Sequence, residues 1–162
     1  MNPLCPQRRR VLALLCLAPL AGCHLAPETG PEEIVWDRDT CKRCGMAISD
    51  HHFAAQVRGG PKHWAYKFDD VGCALIWLKD QPWAEAPDTE IWVADLRSGE
   101  WLDARQARFV AGKTSPMGYG FGALKEAAPG SIDFATLRSQ ILAHGRDAHD
   151  LLMQPASSPN SP

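Results

Sequence analysis

The sequence predicts an α+β fold made of two small ββαβ-type units with mixed sheets and packing helices. Three observations lead to this class: 45% of the 162 residues are hydrophobic, strand-like runs come in pairs, and a helical pattern follows each pair. A chain of this length commonly forms one domain with a substantial core. Its formal net charge of -2 disfavours a nucleic-acid binder, which usually carries a basic patch.

The first unit is predicted from three strand-like runs and one helix. Residues 53–58 and 63–68 are typical of strands, and the glycine-proline turn at 59–61 joins them into a hairpin. Apolar residues recur on one helical face over 71–81, before a proline that ends the helix. Residues 90–96 predict the third strand. The resulting order is ββαβ.

The second unit is predicted from a weaker pattern of the same kind. Residues 101–110 and 119–124 are candidate strands on either side of the glycine-rich loop 112–118. Ser131 is the predicted cap of a helix over residues 132–143, which carries an apolar face. This helix completes the second sheet-and-helix unit.

The N-terminus has the pattern of an export signal. Three arginines at 8–10 precede an apolar run at 11–21 that ends in Leu20-Ala21-Gly22-Cys23. A basic segment, a short apolar core and small residues before a cleavage point define a secretory signal. The run is shorter than the roughly 20 apolar residues that a membrane-spanning helix needs. The last four residues resemble a bacterial lipobox, so Cys23 is the predicted lipidation site, modified with lipid that includes palmitate.

Four segments follow from this interpretation. Residues 1–22 are the lipoprotein signal peptide, 23–33 form a flexible tether rich in proline and glutamate, 34–153 form the folded domain, and 154–162 form a disordered tail. After loss of the signal and lipidation of Cys23, three thiols remain, and an odd number in an exported protein does not suit a disulfide framework. These thiols are Cys41, Cys44 and Cys73.

The CxxC motif at Cys41 and Cys44 allows several chemistries. Covalent haem attachment is excluded because Gly45, not histidine, follows the second cysteine. A closed zinc site would need further ligands, and a thioredoxin-like pair would open a long helix, so both stay open as weaker alternatives. Cu(I) prefers thiolate and thioether ligands. Cys44 and Met46 place both types two residues apart, and Met117 adds a thioether in a polar loop.

Other residues that can bind metals have simpler interpretations. Asp69 or Asp70 is predicted to cap the first helix, and carboxylates are hard ligands for Cu(I). Cys73 is predicted to be a small buried hydrophobic residue. Imidazole also suits copper, so the histidines of the first half of the domain are weaker candidates: His51, His52 and His63.

Three short motifs in order resemble the NosL lipoproteins, which are accessory proteins of nitrous oxide reductase. The motifs are Cys44-Gly45-Met46, Phe68-Asp69-Asp70-Val71-Gly72-Cys73 and Ser115-Pro116-Met117-Gly118, and they lie behind the lipobox. The resemblance implies a fold similar to part of organomercurial lyase. Carried over by position, it implies that Cys44, Met46 and Met117 are the metal ligands, with Cys41 in second rank.

The resemblance further implies a non-enzymatic, periplasm-facing lipoprotein that binds Cu(I) and delivers it to nitrous oxide reductase or another cuproenzyme. A membrane exporter complex is the expected copper donor, and the lipid anchor holds the chain at a membrane, whether inner or outer. The sequence leaves open whether two chains form a homodimer that shares the site. The alternatives are a membrane-anchored thiol–disulfide oxidoreductase that uses Cys41 and Cys44, and a lipoprotein with a structural zinc site or disulfide.

Overall fold

The computed structural model describes residues 29–143, in which two antiparallel sheets are packed with two helices. The predicted signal at 1–22, the lipidation site Cys23 and the tail at 154–162 lie outside the described residues. The helices and strands, in chain order, are β1 (Ala55–Gly59), β2 (Trp64–Phe68), α1 (Val71–Lys79), β3 (Glu90–Ala94), β4 (Trp101–Asp103), β5 (Arg108–Val110), β6 (Gly122–Leu124) and α2 (Phe134–Ala143).

The larger sheet has the strand order β2-β1-β3-β4, so the predicted hairpin and third strand are confirmed. The register of the hairpin pairs Ala55 with Phe68 and Gly59 with Trp64. A Cβ atom at Gly59 would lie 2.6 Å from the ring of Trp83. Only glycine therefore allows this ring to cover the end of β1.

The central strand β1 is buried along its whole length, although two of its residues are polar. Gln56 and Arg58 point to the face opposite Val57, because side chains alternate along a strand. On that face they hold the N-terminal segment: Gln56 exchanges two hydrogen bonds of 2.8 Å with the backbone of Glu32, and the Arg58 Nε atom donates to the Gly30 carbonyl at 2.8 Å. Within the described residues, folded contacts thus begin at Gly30, ahead of the predicted domain boundary at 34.

The first helix begins at an aspartate, and the structure decides between the two candidates. The Asp70 side chain accepts a hydrogen bond of 2.9 Å from the Gly72 amide, so Asp70 is the N-cap of α1. An N-cap carboxylate satisfies an amide that has no partner inside the helix. Asp69 therefore does not cap this helix.

The second unit differs from the prediction in three ways. The expected strand at 101–110 is split, because the Asp103 carbonyl accepts from the Gln106 and Ala107 amides and forms a turn. Its first part, β4, pairs with β3 and extends the first sheet, whereas β5 pairs with β6 in a separate two-stranded sheet. All of these ladders are antiparallel, which corrects the expectation of mixed sheets. Within the described residues, the second unit is therefore ββα.

The cap of α2 is also different from the prediction. Ser131 accepts a hydrogen bond from the Ala128 amide and so stabilises the preceding turn. The helix begins two residues later than predicted because Ile132 pairs with Phe109 in a β-bridge. Asp133 then accepts from the Thr136 amide at 2.8 Å and caps the helix. Neither helix within residues 29–143 is long and apolar enough to cross a bilayer.

Candidate metal site

The CxxC motif lies in a tight turn before β1. A β-bridge between Thr40 and Ala47 closes the turn, and inside it the Cys41 amide donates to the Met46 carbonyl at 2.8 Å. The Gly45 amide then donates to the Cys41 carbonyl at 2.9 Å, with a φ of +75° at Gly45. That left-handed conformation favours glycine, which explains why a glycine lies between Cys44 and Met46.

This turn lies against the junction of β2 and α1. The Lys42 amide donates to the Lys67 carbonyl near the end of β2, at 2.8 Å. The chain then passes through Asp69 into α1, where Cys73 is the third residue. The two segments together form a group of four potential ligands, whose ligand atoms all lie within 4.8 Å of one another. We call this group the thiol cluster, and its members are Cys41, Cys44, Asp69 and Cys73.

The thiol cluster is buried except at one side chain. Cys41 is 2% exposed, Cys73 0% and Asp69 3%, whereas Cys44 is half-buried. All three cysteines are free thiols. The Cys44 Sγ atom donates to Asp69 Oδ2 at 3.6 Å, and the other oxygen, Oδ1, is buried without a hydrogen-bond partner among the described residues. Access from solvent to the cluster therefore passes Cys44.

The four groups strongly influence one another's protonation. The Cys73 thiol donates to Cys41, which lowers the pKa of Cys41 to about 4 and raises the pKa of Cys73. Burial raises the pKa of Cys44 to about 12 and that of Asp69 to about 6. The metal-free cluster thus favours one thiolate, at Cys41, and keeps the other two cysteines as thiols.

The loop that carries Met117 is fastened to the start of α1. Buried Asp70 accepts a 2.6 Å hydrogen bond from the Ser115 hydroxyl and a 3.3 Å bond from the Met117 amide. The Tyr119 ring lies directly on α1, since a Cβ atom at Gly72 would be only 2.1 Å from its Cγ atom. These contacts explain the glycine at position 72 and bring the loop to the residue next to Asp69.

The structure places the predicted ligands in two groups. Cys41 and Cys44 lie together in the thiol cluster, as the motif suggested. Met46 belongs to the same turn but its side chain is 55% exposed, and Met117 is half-buried in its own loop. The ligand roles of Cys41, Cys44, Met46 and Met117 stay predictions.

Sequence reasoning missed two members of the cluster, Asp69 and Cys73. Both lie more than 20 positions from the CxxC motif, and only the packing of the turn on β2 and α1 brings them together. The odd number of thiols was the available signal for Cys73. The candidate histidines belong to no such cluster within the described residues, and His51 stacks on Trp36 with ring centroids 3.7 Å apart.

Three thiols beside one carboxylate form a donor set for soft or borderline cations. Thiolates bind Cu(I) and Zn(II), whereas Mg²⁺ and Ca²⁺ require oxygen ligands. Fold and cluster together define a small α+β protein with a candidate soft-metal site. The NosL family model matches residues 34–131, so the chain belongs to the NosL family.

A solved structure has the same fold. The crystal structure of the copper chaperone NosL from Shewanella denitrificans matches with a TM-score of 0.52 and 18% sequence identity. The match covers 70% of this chain and 88% of that chain. The search of curated proteins found no match.

Proposed function

We propose that this protein is a lipid-anchored, periplasm-facing Cu(I) carrier that delivers copper to nitrous oxide reductase. One observation carries the proposal: in a NosL-family domain, the free thiols of Cys41 and Cys44 lie within 4.8 Å of each other beside a solvent-accessible edge. Thiolate ligands are those that Cu(I) prefers. The matched chain from Shewanella denitrificans is itself described as a copper chaperone.

Release of copper follows from the mixture of ligands. Cys44 holds the ion through a thiolate, and Met46 and Met117 contribute neutral thioethers, which an incoming thiolate or imidazole displaces first. Met46 is well placed for this step because its side chain is 55% exposed. Transfer by ligand exchange leaves the copper oxidation state unchanged, so the protein needs no catalytic residue.

The anchor and the partners complete the proposal. Cys23 carries the lipid, and the segment after it holds the domain near the membrane, where an exporter complex supplies Cu(I). Support for this part comes from the export signal and lipobox in the sequence. Replacing Cys23 with serine should abolish the incorporation of labelled palmitate into the protein, whereas the wild type and Cys73→Ala should both be labelled.

The direct test is copper transfer to apo nitrous oxide reductase. The Cu(I)-loaded protein, purified from membranes in detergent, is mixed anaerobically with the apo-reductase, and nitrous oxide reduction is followed. Met46→Leu should slow the transfer severalfold, because the displaceable ligand is lost, and Cys44→Ser should abolish it. Met153→Leu is the matched control, since this methionine lies outside the predicted site. Transfer that is indifferent to Cys44→Ser would contradict the proposal.

A second candidate function is thiol–disulfide exchange by Cys41 and Cys44. One observation favours it: the pKa of Cys41 is lowered to about 4, and the thiolate is the nucleophile in such exchange. However, the motif forms a closed turn and does not open a helix as in thioredoxin-like proteins. Disulfide reductase activity that survives Met46→Leu but disappears in Cys41→Ser would support this candidate over the copper carrier.

A further inference from the structure

We infer that Cys41, Cys44 and Cys73 form an inner three-thiolate site for Cu(I), in addition to the outer Cys44, Met46 and Met117 site. Cys44 belongs to both. The inference rests on the proposed function and adds a second position for the same cargo. In this arrangement copper is taken up and released at the outer site and protected at the inner one.

The spacing of the ligand atoms fits a bound cation. A metal ion about 2.3 Å from three sulfur atoms in one plane places those atoms about 4.0 Å apart. The three Sγ atoms and the Asp69 oxygen already lie within 4.8 Å of one another. Binding therefore requires side-chain movements of less than an ångström, which χ1 adjustments supply. The backbone turn at Cys41 and the helix at Cys73 can stay in place.

An unsatisfied oxygen gives independent support for a cation in the cluster. Asp69 has a relative exposure of only 3%, and its Oδ1 atom has no hydrogen-bond partner among residues 29–143. Buried polar atoms are nearly always paired, so such an exception needs an explanation. A cation among the three sulfurs would be the positive charge nearest to this oxygen, and Cu(I) would offset one of the three negative charges on the sulfurs. The carboxylate is too hard a donor to replace a thiolate on Cu(I).

Burial divides the two sites into an entrance and an interior. Cys73 and Cys41 are 0% and 2% exposed, so a bound ion there would be shielded from solvent and from competing ligands. Cys44 is half-buried, and two residues later Met46 is 55% exposed. An ion that keeps its bond to Cys44 could exchange thioethers for the inner thiolates without leaving the protein. Cys44 and Cys73, which are thiols in the metal-free cluster, release their protons to solvent when Cu(I) binds. Cys73 lies in the first turn of α1, where the helix dipole stabilises the resulting thiolate.

The test uses a chain in which only these thiols remain. We call the full chain carrying Cys5→Ser, Cys16→Ser and Cys23→Ser, purified in detergent, the three-thiol chain. Its Cu(I) affinity is measured anaerobically against a competing chelator, and copper X-ray absorption counts the sulfur neighbours. Cys73→Ala is compared with Ile76→Val, which removes one buried heavy atom from the same helix. Circular dichroism checks that both variants fold.

The inner site predicts that Cys73→Ala lowers the Cu(I) affinity on the order of 10²-fold, at least as much as loss of an outer-shell partner costs. It also predicts one sulfur neighbour fewer, whereas Ile76→Val changes neither quantity. In the three-thiol chain with Met46→Leu and Met117→Leu, Cu(I) should still be held, and adding Cys73→Ala should release it.

Two results would overturn the inference in different ways. If Cys73→Ala leaves the affinity and sulfur count unchanged while Cys44→Ser lowers both, the inner site does not exist and the proposed function survives. If the three-thiol chain cannot take Cu(I) from the chelator, both the inner site and the proposed Cu(I)-carrier function fail.

Discussion

Asp70 ties the start of α1 to the loop of Met117, so its removal should destabilise the protein more than the loss of an ordinary helix cap. Its carboxylate accepts from the Gly72 amide at 2.9 Å, from the Ser115 hydroxyl at 2.6 Å and from the Met117 amide at 3.3 Å. Asp70→Ala leaves all three donors in a site that is closed to water, because Asp70 is 0% exposed.

The contacts set the size of the expected effect. Loss of an N-cap costs about 1 kcal/mol, and each buried donor left without a partner costs about 1–3 kcal/mol. Burial raises the pKa of Asp70, which means that its charge carries a desolvation cost that the alanine variant removes. We therefore expect Asp70→Ala to lower the free energy of unfolding by about 3 kcal/mol, a large share of the 5–15 kcal/mol typical of a domain.

Urea unfolding followed by tryptophan fluorescence measures this loss, since the chain has six tryptophans. Asp133→Ala is the matched control: Asp133 caps α2 from an exposed position and accepts from the Thr136 amide. Asp133→Ala should lower the free energy of unfolding by about 1 kcal/mol. Asp70→Asn keeps an acceptor oxygen, so its loss of stability should lie between those of Asp70→Ala and Asp133→Ala. If Asp70→Ala costs no more than Asp133→Ala, the link between α1 and the Met117 loop does not stabilise the fold.

Three further predictions follow from single contacts. Gly72→Ala places a methyl group 2.1 Å from the Tyr119 ring, so it should cost about 1–3 kcal/mol in urea unfolding by overpacking; an unchanged midpoint would show that the ring lies elsewhere. Arg58→Met removes one of the two β1 side chains that hold the N-terminal segment and should lower the free energy of unfolding by about 2 kcal/mol, with faster hydrogen exchange in β1. Exchange equal to that of the wild type would contradict this. The Asp39 carboxyl, whose pKa the 2.7 Å bond from Lys67 holds below 3.8, should titrate closer to 3.8 in Lys67→Met when followed by NMR. Because the pKa of Asp39 is lowered, the Asp39–Lys67 ion pair stabilises the fold above pH 3.8, and this contribution is lost as the pH falls through the lowered pKa. An unchanged Asp39 titration in Lys67→Met would exclude the ion pair in solution.

Local patterns predicted the first unit well because its signals lie within short stretches of chain. The hairpin of β1 and β2, the helix that follows and the third strand each have their own turn, cap or breaker. The second unit was predicted less well. A turn held by the Asp103 carbonyl divides the expected strand at 101–110, and pairing of Ile132 with Phe109 delays α2. Neither contact can be recognised from the local sequence pattern.

The candidate site was also only partly predictable from local sequence patterns. Cys41 and Cys44 were found because their spacing is a motif, whereas Asp69 and Cys73 join them only through packing of the CxxC turn on β2 and α1. Asp69 was assigned as a possible cap, but Asp70 fills that role. Cys73 was correctly predicted to be buried, yet burial beside two other thiols gives it a chemistry that composition alone does not reveal.

The central claim is that Cys44 holds Cu(I). The most direct measurement is an anaerobic competition titration of the three-thiol chain and its Cys44→Ser variant with Cu(I) and a chelator. The account predicts one tightly bound Cu(I) per chain and an affinity at least about 10²-fold lower in the variant. Equal affinities in the two proteins, or no binding in competition with the chelator, would contradict it.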